Sequence, residues 1–251
     1  MGLYLGSTDI EGASFYLGSS AVSQLYLGST ALLPTPFTGP TDIEGLHVYF
    51  EPRGDSSYAT GTSPRTLYNP DGDSTEYTDV AGYSGFNYNT DINMIDKGGS
   101  GTISNFHQDP GSTPETFYMW VYRTFNTLPS DMRANTPQAG HKYNASQQIG
   151  FTINNTTVQT YDVSSATFYS LAMYSKKIDA TTTNWECWVN GTSIGSDTYS
   201  STWTPSSTFS WTNYGYYGSM LLYRNHAATD TDVQNLHTWL KDTYYDELSS
   251  L

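Results

Sequence analysis

Basic residues are scarce in this chain. Ten Lys and Arg residues stand against 24 Asp and Glu residues, and only 14% of the 251 residues carry a charge, so the formal net charge is −14. A chain with this charge repels phosphate backbones. We therefore expect no nucleic-acid partner.

Cysteine is almost absent, since Cys187 is the only one. A single cysteine cannot form a disulfide within the chain and offers a metal no second sulfur. Alternation over residues 185–189 places Cys187 on the same strand face as Trp185 and Val189, where a small buried hydrophobe is expected. No histidine or basic residue lies close in sequence, so we expect an unreactive thiol.

Long apolar runs are also missing. No segment approaches the roughly 20 apolar residues that a helix needs to cross a bilayer, and the first residues lack the basic start and apolar core of a signal peptide. We therefore expect neither membrane insertion nor secretion by the host. The chain is instead rich in Tyr (22) and Gly (22), with six Trp and many Ser, Thr and Asn, a composition that favours strands joined by polar turns.

Three copies of the phrase Tyr-Leu-Gly-Ser open the chain, at residues 4–7, 16–19 and 26–29. Aligned on their tyrosines, the copies keep apolar residues in fixed columns, which makes them an internal repeat. An apolar-Tyr-apolar run followed by Gly-Ser and a second apolar position predicts a small β-hairpin. The tyrosines and the apolar residues beside them are Leu3, Tyr4, Leu5, Phe15, Tyr16, Leu17, Leu25, Tyr26 and Leu27.

These hairpins cannot bury enough apolar surface to offset the entropy of ordering them. We therefore expect residues 1–33 to dock on a partner or on sister subunits; the alternative is an unstructured leader. The repeat resembles the tandem units that open many bacteriophage virion structural proteins. This resemblance covers residues 3–33 and implies attachment to other virion proteins, and three hairpin ladders wrapped around one axis would give a homotrimer.

A change of composition follows the repeat. Residues 34–41 hold three prolines and a glycine, so residues 34–43 are expected to form a spacer before a domain at residues 44–251. Alternating apolar residues and frequent turn residues then predict an all-β domain. Its strands are expected at residues 46–50, 101–106, 115–123, 148–153, 156–161, 167–176, 184–189, 193–197 and 218–223.

Two local signals are clearer than the rest. Asn190-Gly191 lies between alternating runs and predicts a hairpin with a tight turn. Near the end, Thr229 can cap a helix that has Asp230 and Asp232 in its first turn. The apolar stripe of this helix is expected to contain Val233, Leu236, Trp239, Leu240 and Tyr244.

The order of these segments resembles the concanavalin A-like, or laminin-G-like, jelly roll. The resemblance rests on residues 46–50, 117–121, 188–191 and 219–224, with a weaker match at residues 66–72, and it covers about residues 46–248. It implies an all-β jelly-roll sandwich with one C-terminal helix, preceded by the small hairpin segment.

Catalytic carboxylates are expected to be absent. Glucanases that resemble this fold carry a Glu-x-Asp-x-Glu pattern on one strand, because hydrolysis needs paired carboxylates flanking the scissile bond. Glu76 and Asp79 are three residues apart in a polar segment, and Glu186 has no acidic neighbour two residues on. We therefore expect a protein that is not an enzyme.

Two candidate binding sites remain. Asn69, Asp71 and Asp73 have the alternate spacing of a Ca²⁺ loop, although Asn-Pro-Asp-Gly is also an ordinary turn and no cofactor is required. An aromatic cluster could stack on sugar rings, or could be core or a subunit contact. This cluster contains Trp203, Trp211, Tyr214, Tyr216 and Tyr217.

Together these features predict a non-enzymatic virion structural protein, such as a tail fibre, a fibre-like appendage or a head decoration. It would be made in the host cytoplasm, be displayed on the virion surface, and carry a lectin-like jelly roll for host-surface polysaccharide. The competing hypotheses are a secreted bacterial carbohydrate-binding module and a glycan hydrolase.

Overall fold

The structure is a computed structural model of the whole chain, which divides into two compact units, Met1–Thr38 and Gly39–Leu251. The residues that it describes are 4–5, 8–9, 16–17, 20–21, 26–27, 30–31, 36–51, 67–68, 86–89, 91–92, 94–97, 100–104, 115–124, 132–135, 139–144, 148–153, 156–200, 208–212 and 216–251.

The smaller unit contains the three predicted hairpins. Its strands are β1 (Tyr4–Leu5), β2 (Thr8–Asp9), β3 (Tyr16–Leu17), β4 (Ser20–Ala21), β5 (Tyr26–Leu27) and β6 (Thr30–Ala31). Each pair is antiparallel, and the leucine of each phrase lies opposite the first residue of the return strand. Two residues separate the strands, as the Gly-Ser step predicts. Leu3, Phe15 and Leu25 lie outside the described residues.

The larger unit is the predicted all-β jelly-roll sandwich with one C-terminal helix. Its strands are β7 (Leu46–Phe50), β8 (Leu67–Tyr68), β9 (Phe86–Asn89), β10 (Met94–Lys97), β11 (Ser100–Ser104), β12 (Glu115–Arg123), β13 (Met132–Asn135), β14 (Ala139–Asn144), β15 (Gln148–Ile153), β16 (Thr156–Asp162), β17 (Phe168–Lys177), β18 (Thr183–Val189), β19 (Thr192–Tyr199), β20 (Thr208–Thr212) and β21 (Tyr216–Arg224). The helix, α1, is Asp230–Thr243.

Two antiparallel sheets build this unit. The first sheet has the order β19-β18-β17-β12-β21. Beyond β21 it divides: one part of β21 pairs with β10, which pairs with β9, and another part of β21 pairs with β7, which pairs with β8. The second sheet has the order β11-β20-β13-β14-β15-β16.

The core lies between the two sheets. Period-two alternation sends Tyr118, Trp120 and Tyr122 of β12 inward, and Leu171 and Met173 of β17 join them. The second sheet contributes inward residues from β15, namely Ile149, Phe151 and Ile153. Cys187 is fully buried in the same cluster beside Trp185 and Val189, which confirms the role predicted for it, and burial raises the pKa of its thiol.

The outer face of the first sheet is also apolar in the half that α1 covers. Phe117, Met119 and Trp188 alternate with the core residues and are buried. They are matched by Val233, Leu236, His237 and Leu240 of the helix. The predicted stripe is thus confirmed at Val233, Leu236 and Leu240, whereas Trp239 and Tyr244 are only partly buried, and His237 takes a place that apolar spacing did not assign to it.

Side-chain hydrogen bonds hold the helix in place. Thr229 and Asp232 form a capping box, as the cap prediction required. The indole of Trp188 donates to the Asp230 carboxylate at 2.7 Å, which ties the first helical turn to β18. At the middle of the helix, Nδ1 of His237 lies 2.7 Å from the Ser170 hydroxyl, and its Nε2 lies 2.9 Å from the carbonyl oxygen of Ser249.

The spacer is shorter than predicted. The two units divide between Thr38 and Gly39, inside residues 34–43. Pro40 begins a short 3₁₀ helix, Pro40–Asp42, and both Pro40 and Ile43 are buried in the larger unit. The Tyr223 hydroxyl donates to the Pro40 carbonyl at 3.1 Å, so residues 39–43 belong to the sandwich.

The predicted hairpin at Asn190-Gly191 is confirmed. Both residues have positive φ, 50° and 78°, as a tight turn with this pair requires. In the described part of the chain, no helix is long and apolar enough to span a membrane.

Candidate functional site: a polar platform beyond the helix

The aromatic cluster predicted as a sugar platform does not share one surface. Tyr217 is 5% exposed, belongs to the core, and packs edge-on against Tyr122 with 5.6 Å between ring centroids. Tyr216 precedes it on β21, so its side chain lies on the opposite face. Tyr217 is therefore a core residue, which corrects its assignment to the binding surface.

Tyr216 is half-buried at the outer end of the first sheet. It lies in one row with Arg123 and Phe168 on the neighbouring strands. The Arg123 guanidinium carbon is 5.2 Å from the Tyr216 ring centroid and 5.5 Å from that of Phe168, both within cation–π range. One face of the Tyr216 ring is thus occupied by a side chain of the same chain.

For the other members of the cluster, the structure gives the strand register of Trp211 alone. The strand ladder puts Trp211 opposite Ala134, Ala134 opposite His141, and His141 opposite the buried Phe151. Position 211 therefore shares a column with a core residue. Trp203 and Tyr214 lie outside the described residues.

The predicted Ca²⁺ ligands Asn69, Asp71 and Asp73 also lie outside the described residues, as do Glu76 and Asp79. Within the residues that are described, no group of three or more His, Cys, Asp or Glu side chains is placed so that it could hold a metal ion. A Ca²⁺ site at residues 69–73 stays a prediction.

A different set of residues forms an open surface on the outer face of the first sheet, beyond the first turn of α1. We call it the polar platform and define it as Glu115, Tyr174, Lys176, Asn184, Glu186 and Thr198. Alternation produces it, because inward residues such as Met173 and Cys187 are separated by these outward ones. The strand register sets two rows. The first is Glu115–Lys176–Asn184–Thr198, and the second places Tyr174 opposite Glu186.

Glu115 anchors one side of the polar platform. The Tyr174 hydroxyl donates to one oxygen of its carboxylate, and Lys176 Nζ lies 3.3 Å from the other. The Glu115 side chain is 14% exposed and that of Lys176 is 41% exposed, so the ion pair is partly shielded. Burial, and then the nearby Glu115, raise the pKa of Tyr174 well above its usual value. Tyr174 is therefore a neutral donor whose ring is held in position.

The other side of the polar platform keeps unused polar atoms. The Thr198 hydroxyl donates to Asn184 Oδ1 at 3.0 Å, and the Ser193 hydroxyl donates to Glu186 Oε1 at 3.0 Å. The Asn184 amide nitrogen and the second Glu186 oxygen have no hydrogen-bond partner among the described residues. Two donor hydrogens and one charged acceptor therefore remain available on one face of the sheet.

The edge of the polar platform is fixed by a contact between the sheets. A bulge in β19 leaves Ile194 without a partner in β18. Its carbonyl instead accepts a hydrogen bond from Gln159 Nε2 of β16, at 2.6 Å. This bond joins the edge strands of the two sheets, so the outer strand of the polar platform is held from both sides.

Ser170 and His237 form the kind of pair that hydrolases use for nucleophilic attack. Ser170 is 1% exposed and His237 is fully buried, so no substrate reaches them. The Ser249 carbonyl accepts from Nε2, which leaves Nδ1 to accept from Ser170. The pair links the helix to β17 and to the segment that follows the helix.

No family model and no curated protein matches this chain. Solved structures do match it in fold. A Trypanosoma rangeli sialidase in complex with sialic acid aligns with 79% of the chain at 12% identity, with a TM-score of 0.50. The binding domain of botulinum neurotoxin DC in complex with SialylT aligns with 78% at 11% identity, with a TM-score of 0.51. The chain spans 33% and 51% of those two structures. At such low identity the likeness shows the β-sandwich fold.

Sequence reasoning missed the polar platform because its residues come from four strands. Glu115 is 59 residues from Tyr174 along the chain, and neither lies in a recognisable motif. One local signal was available. On β17 and β18, polar outward residues alternate with buried inward ones. Along the outer face, the change from apolar to polar residues marks the place where the helix stops covering the sheet.

Proposed function

We propose that the chain is a non-enzymatic attachment protein of a bacteriophage particle, whose sandwich binds a host-surface glycan on the polar platform. The observation that carries the proposal is the platform itself, an exposed surface with a fixed tyrosine ring, an unused carboxylate oxygen and an unused amide group. Ligand sites of this kind combine a few placed polar groups with an aromatic surface.

The fold likeness supports the same proposal. The two solved structures with the matching fold were determined in complex with sialic acid and with SialylT. A β-sandwich presents rigid strands, and side chains on strands are positioned more accurately than those on loops. The glycan-binding role and the site are therefore proposed together.

The hairpin repeat gives the attachment half of the proposal. Each hairpin pairs only two residues in each strand, far below what an isolated sheet needs for stability in water. Such hairpins gain stability by docking on another surface, which we propose to be sister subunits in a homotrimer and other virion proteins. The sandwich has its own core between its sheets and does not depend on the repeat for it.

Glycan-array binding of the full-length chain tests the glycan half. We expect the protein to bind one or more glycans on the array. Tyr174→Ala should lower the affinity at least tenfold, because the variant loses both the ring and the group that holds Glu115. Tyr199→Phe is the control, because Tyr199 lies on the edge strand β19 and packs against the core on the opposite face of the sheet, and this variant should bind normally. If the protein binds no glycan on the array, the proposed function is wrong. If Tyr174→Ala binds as well as the unaltered chain, the glycan site lies elsewhere on the protein.

A further inference from the structure

The geometry points to a neutral, hydroxyl-rich sugar as the ligand of the polar platform, with two adjacent hydroxyls held by Glu186 and Asn184. This inference rests on the proposed glycan-binding function and gives its chemical class. It differs from the acidic sialic acid in the complex of the matching Trypanosoma rangeli sialidase.

The charges on the polar platform disfavour an acidic ligand. It carries two carboxylates, Glu115 and Glu186, and one ammonium, Lys176, so its net charge is −1. The ammonium is already paired with Glu115 at 3.3 Å. Lys177, the next residue on β17, lies on the opposite sheet face. A carboxylate sugar would therefore meet the unpaired negative charge of Glu186, with no unpaired cation among the residues of the polar platform, and the chain's net charge of −14 repels it at longer range.

The unused hydrogen-bonding groups match hydroxyls. A sugar hydroxyl both donates and accepts, so one hydroxyl can donate to the second oxygen of Glu186 while its neighbour accepts from the Asn184 amide. Bonds to a carboxylate are the stronger kind, since the acceptor is charged. Glu186 and Asn184 are two residues apart on one strand, so their Cα atoms are about 6.6 Å apart and both side chains face outward. This separation suits groups on a single sugar ring.

Tyr174 supplies the apolar part of the site. It lies directly opposite Glu186 on the neighbouring strand, where paired side chains are about 5 Å apart. Its hydroxyl is fixed by Glu115, so the orientation of its ring is set before a ligand arrives. The C–H face of a neutral sugar can pack on this ring while its hydroxyls reach Glu186 and Asn184.

A protein partner fits this surface less well. The residues around the unused groups are Ser193, Ser196 and Thr198, all exposed and all hydroxyl-bearing. Protein interfaces are centred on buried apolar or aromatic anchors with few charges, and this surface has one partly exposed tyrosine among charged and hydroxyl groups.

The test compares neutral and acidic glycans on the full-length chain. The probes are neutral oligosaccharides of galactose, glucose, mannose, rhamnose and N-acetylhexosamines, against sialylated and uronic-acid oligosaccharides, with affinities from isothermal titration calorimetry at two salt concentrations. We expect neutral probes to bind, with little dependence on salt. Glu186→Gln should weaken them about tenfold, because it removes a charged acceptor and keeps the side-chain shape.

The control and the second variant separate charge from shape. Asp162→Asn removes the same charge from an exposed position on the second sheet and should leave the affinity unchanged. Glu186→Lys should abolish neutral binding and raise the affinity for acidic probes. Acidic probes that bind the unaltered chain more tightly than neutral ones, or neutral binding that Glu186→Gln leaves intact, would overturn this inference while glycan binding stands. Failure of every probe would overturn the proposed function as well.

Discussion

The bulge in β21 makes one hydroxyl group unusually important for stability. Gly218 and Ser219 both lie opposite Val121, because the ladder shifts between Trp120 and Tyr122. The Ser219 backbone N–H therefore has no strand partner and donates to the Tyr245 hydroxyl at 2.8 Å. That hydroxyl in turn donates to the Glu51 carboxylate at 2.8 Å, and Tyr245 is fully buried.

Tyr245→Phe removes this hydroxyl and keeps the ring. The ring must stay against Gly218, where an added Cβ would lie 2.5 Å from the tyrosine oxygen and 2.7 Å from its ring carbon. A hydrogen bond to a charged group contributes about 1.5–3 kcal/mol, and a buried N–H left unpaired costs about 1–3 kcal/mol. The variant loses the hydrogen bond to Glu51 and leaves the Ser219 N–H unpaired, and these two costs are partly the same. We therefore expect the free energy of unfolding to fall by about 3 kcal/mol.

Urea and thermal unfolding measure this loss. For a domain of this size, about 3 kcal/mol corresponds to a fall of roughly 6–12 °C in Tm. The control is Tyr199→Phe, whose hydroxyl has no hydrogen bond with any described residue. It should change the free energy of unfolding by less than about 0.5 kcal/mol. Equal unfolding midpoints for the two variants would refute the reasoning, since both lose one oxygen and only one loses a buried network.

Other perturbations test the remaining contacts. Burial lowers the pKa of His237 below its ordinary value of 6.5, so its contribution to stability is fully present above about pH 6.5 and is lost as pH falls below it. His237→Phe should therefore make the free energy of unfolding depend less on pH between pH 7 and pH 5, and an unchanged pH dependence would contradict this. Gly45→Ala should cost at least about 1–2 kcal/mol in urea unfolding, because φ is +83° and the new Cβ would lie 2.2 Å from the Arg224 carbonyl oxygen; a neutral effect would show that β7 and β21 can separate without cost. Replacing Leu5, Leu17 and Leu27 together with Asp should prevent incorporation into purified virions without unfolding the sandwich, because carboxylates cannot be buried in a docking surface; normal incorporation would leave the repeat as a leader only.

Several strands could be predicted from sequence because their own residues determine them. The strand predicted at residues 115–123 is β12, and that at residues 148–153 is β15, since each has a continuous apolar pattern between turn residues. The hairpin at Asn190-Gly191 depends on two positive φ values that this pair adopts easily. The helix begins where Thr229 and Asp232 complete each other's hydrogen bonds.

The strands that were missed depend on their neighbours. Ala139–Asn144 contains a glycine, a lysine and an asparagine, and local propensity does not favour a strand there. It becomes one because β13 and β15 pair with it on either side. In the same way, β20 was not predicted, and it pairs with β11, about a hundred residues earlier in the chain, a partner that no local pattern could indicate.

The aromatic prediction failed at Tyr217 for a reason that the sequence contains. Adjacent residues on a strand face opposite sides of the sheet, so Tyr216 and Tyr217 cannot both belong to one exposed surface. Composition drew attention to the cluster at residues 211–217, whereas period two divides it. The same period, applied to β17 and β18, places Tyr174 and Glu186 outward.

The position of the helix explains why the proposed site lies where it does. The outer face of the first sheet changes along β17 and β18, from Ala172 and Trp188 to Tyr174 and Glu186. The apolar half must be covered, and the Trp188 indole bonded to Asp230 fixes the start of the helix there. What lies beyond that bond has to be stable in water, and so it carries charged and hydroxyl groups. A surface that is rigid because the helix buries one half, and polar because the helix leaves the other half uncovered, is well prepared to hold a hydrated ligand.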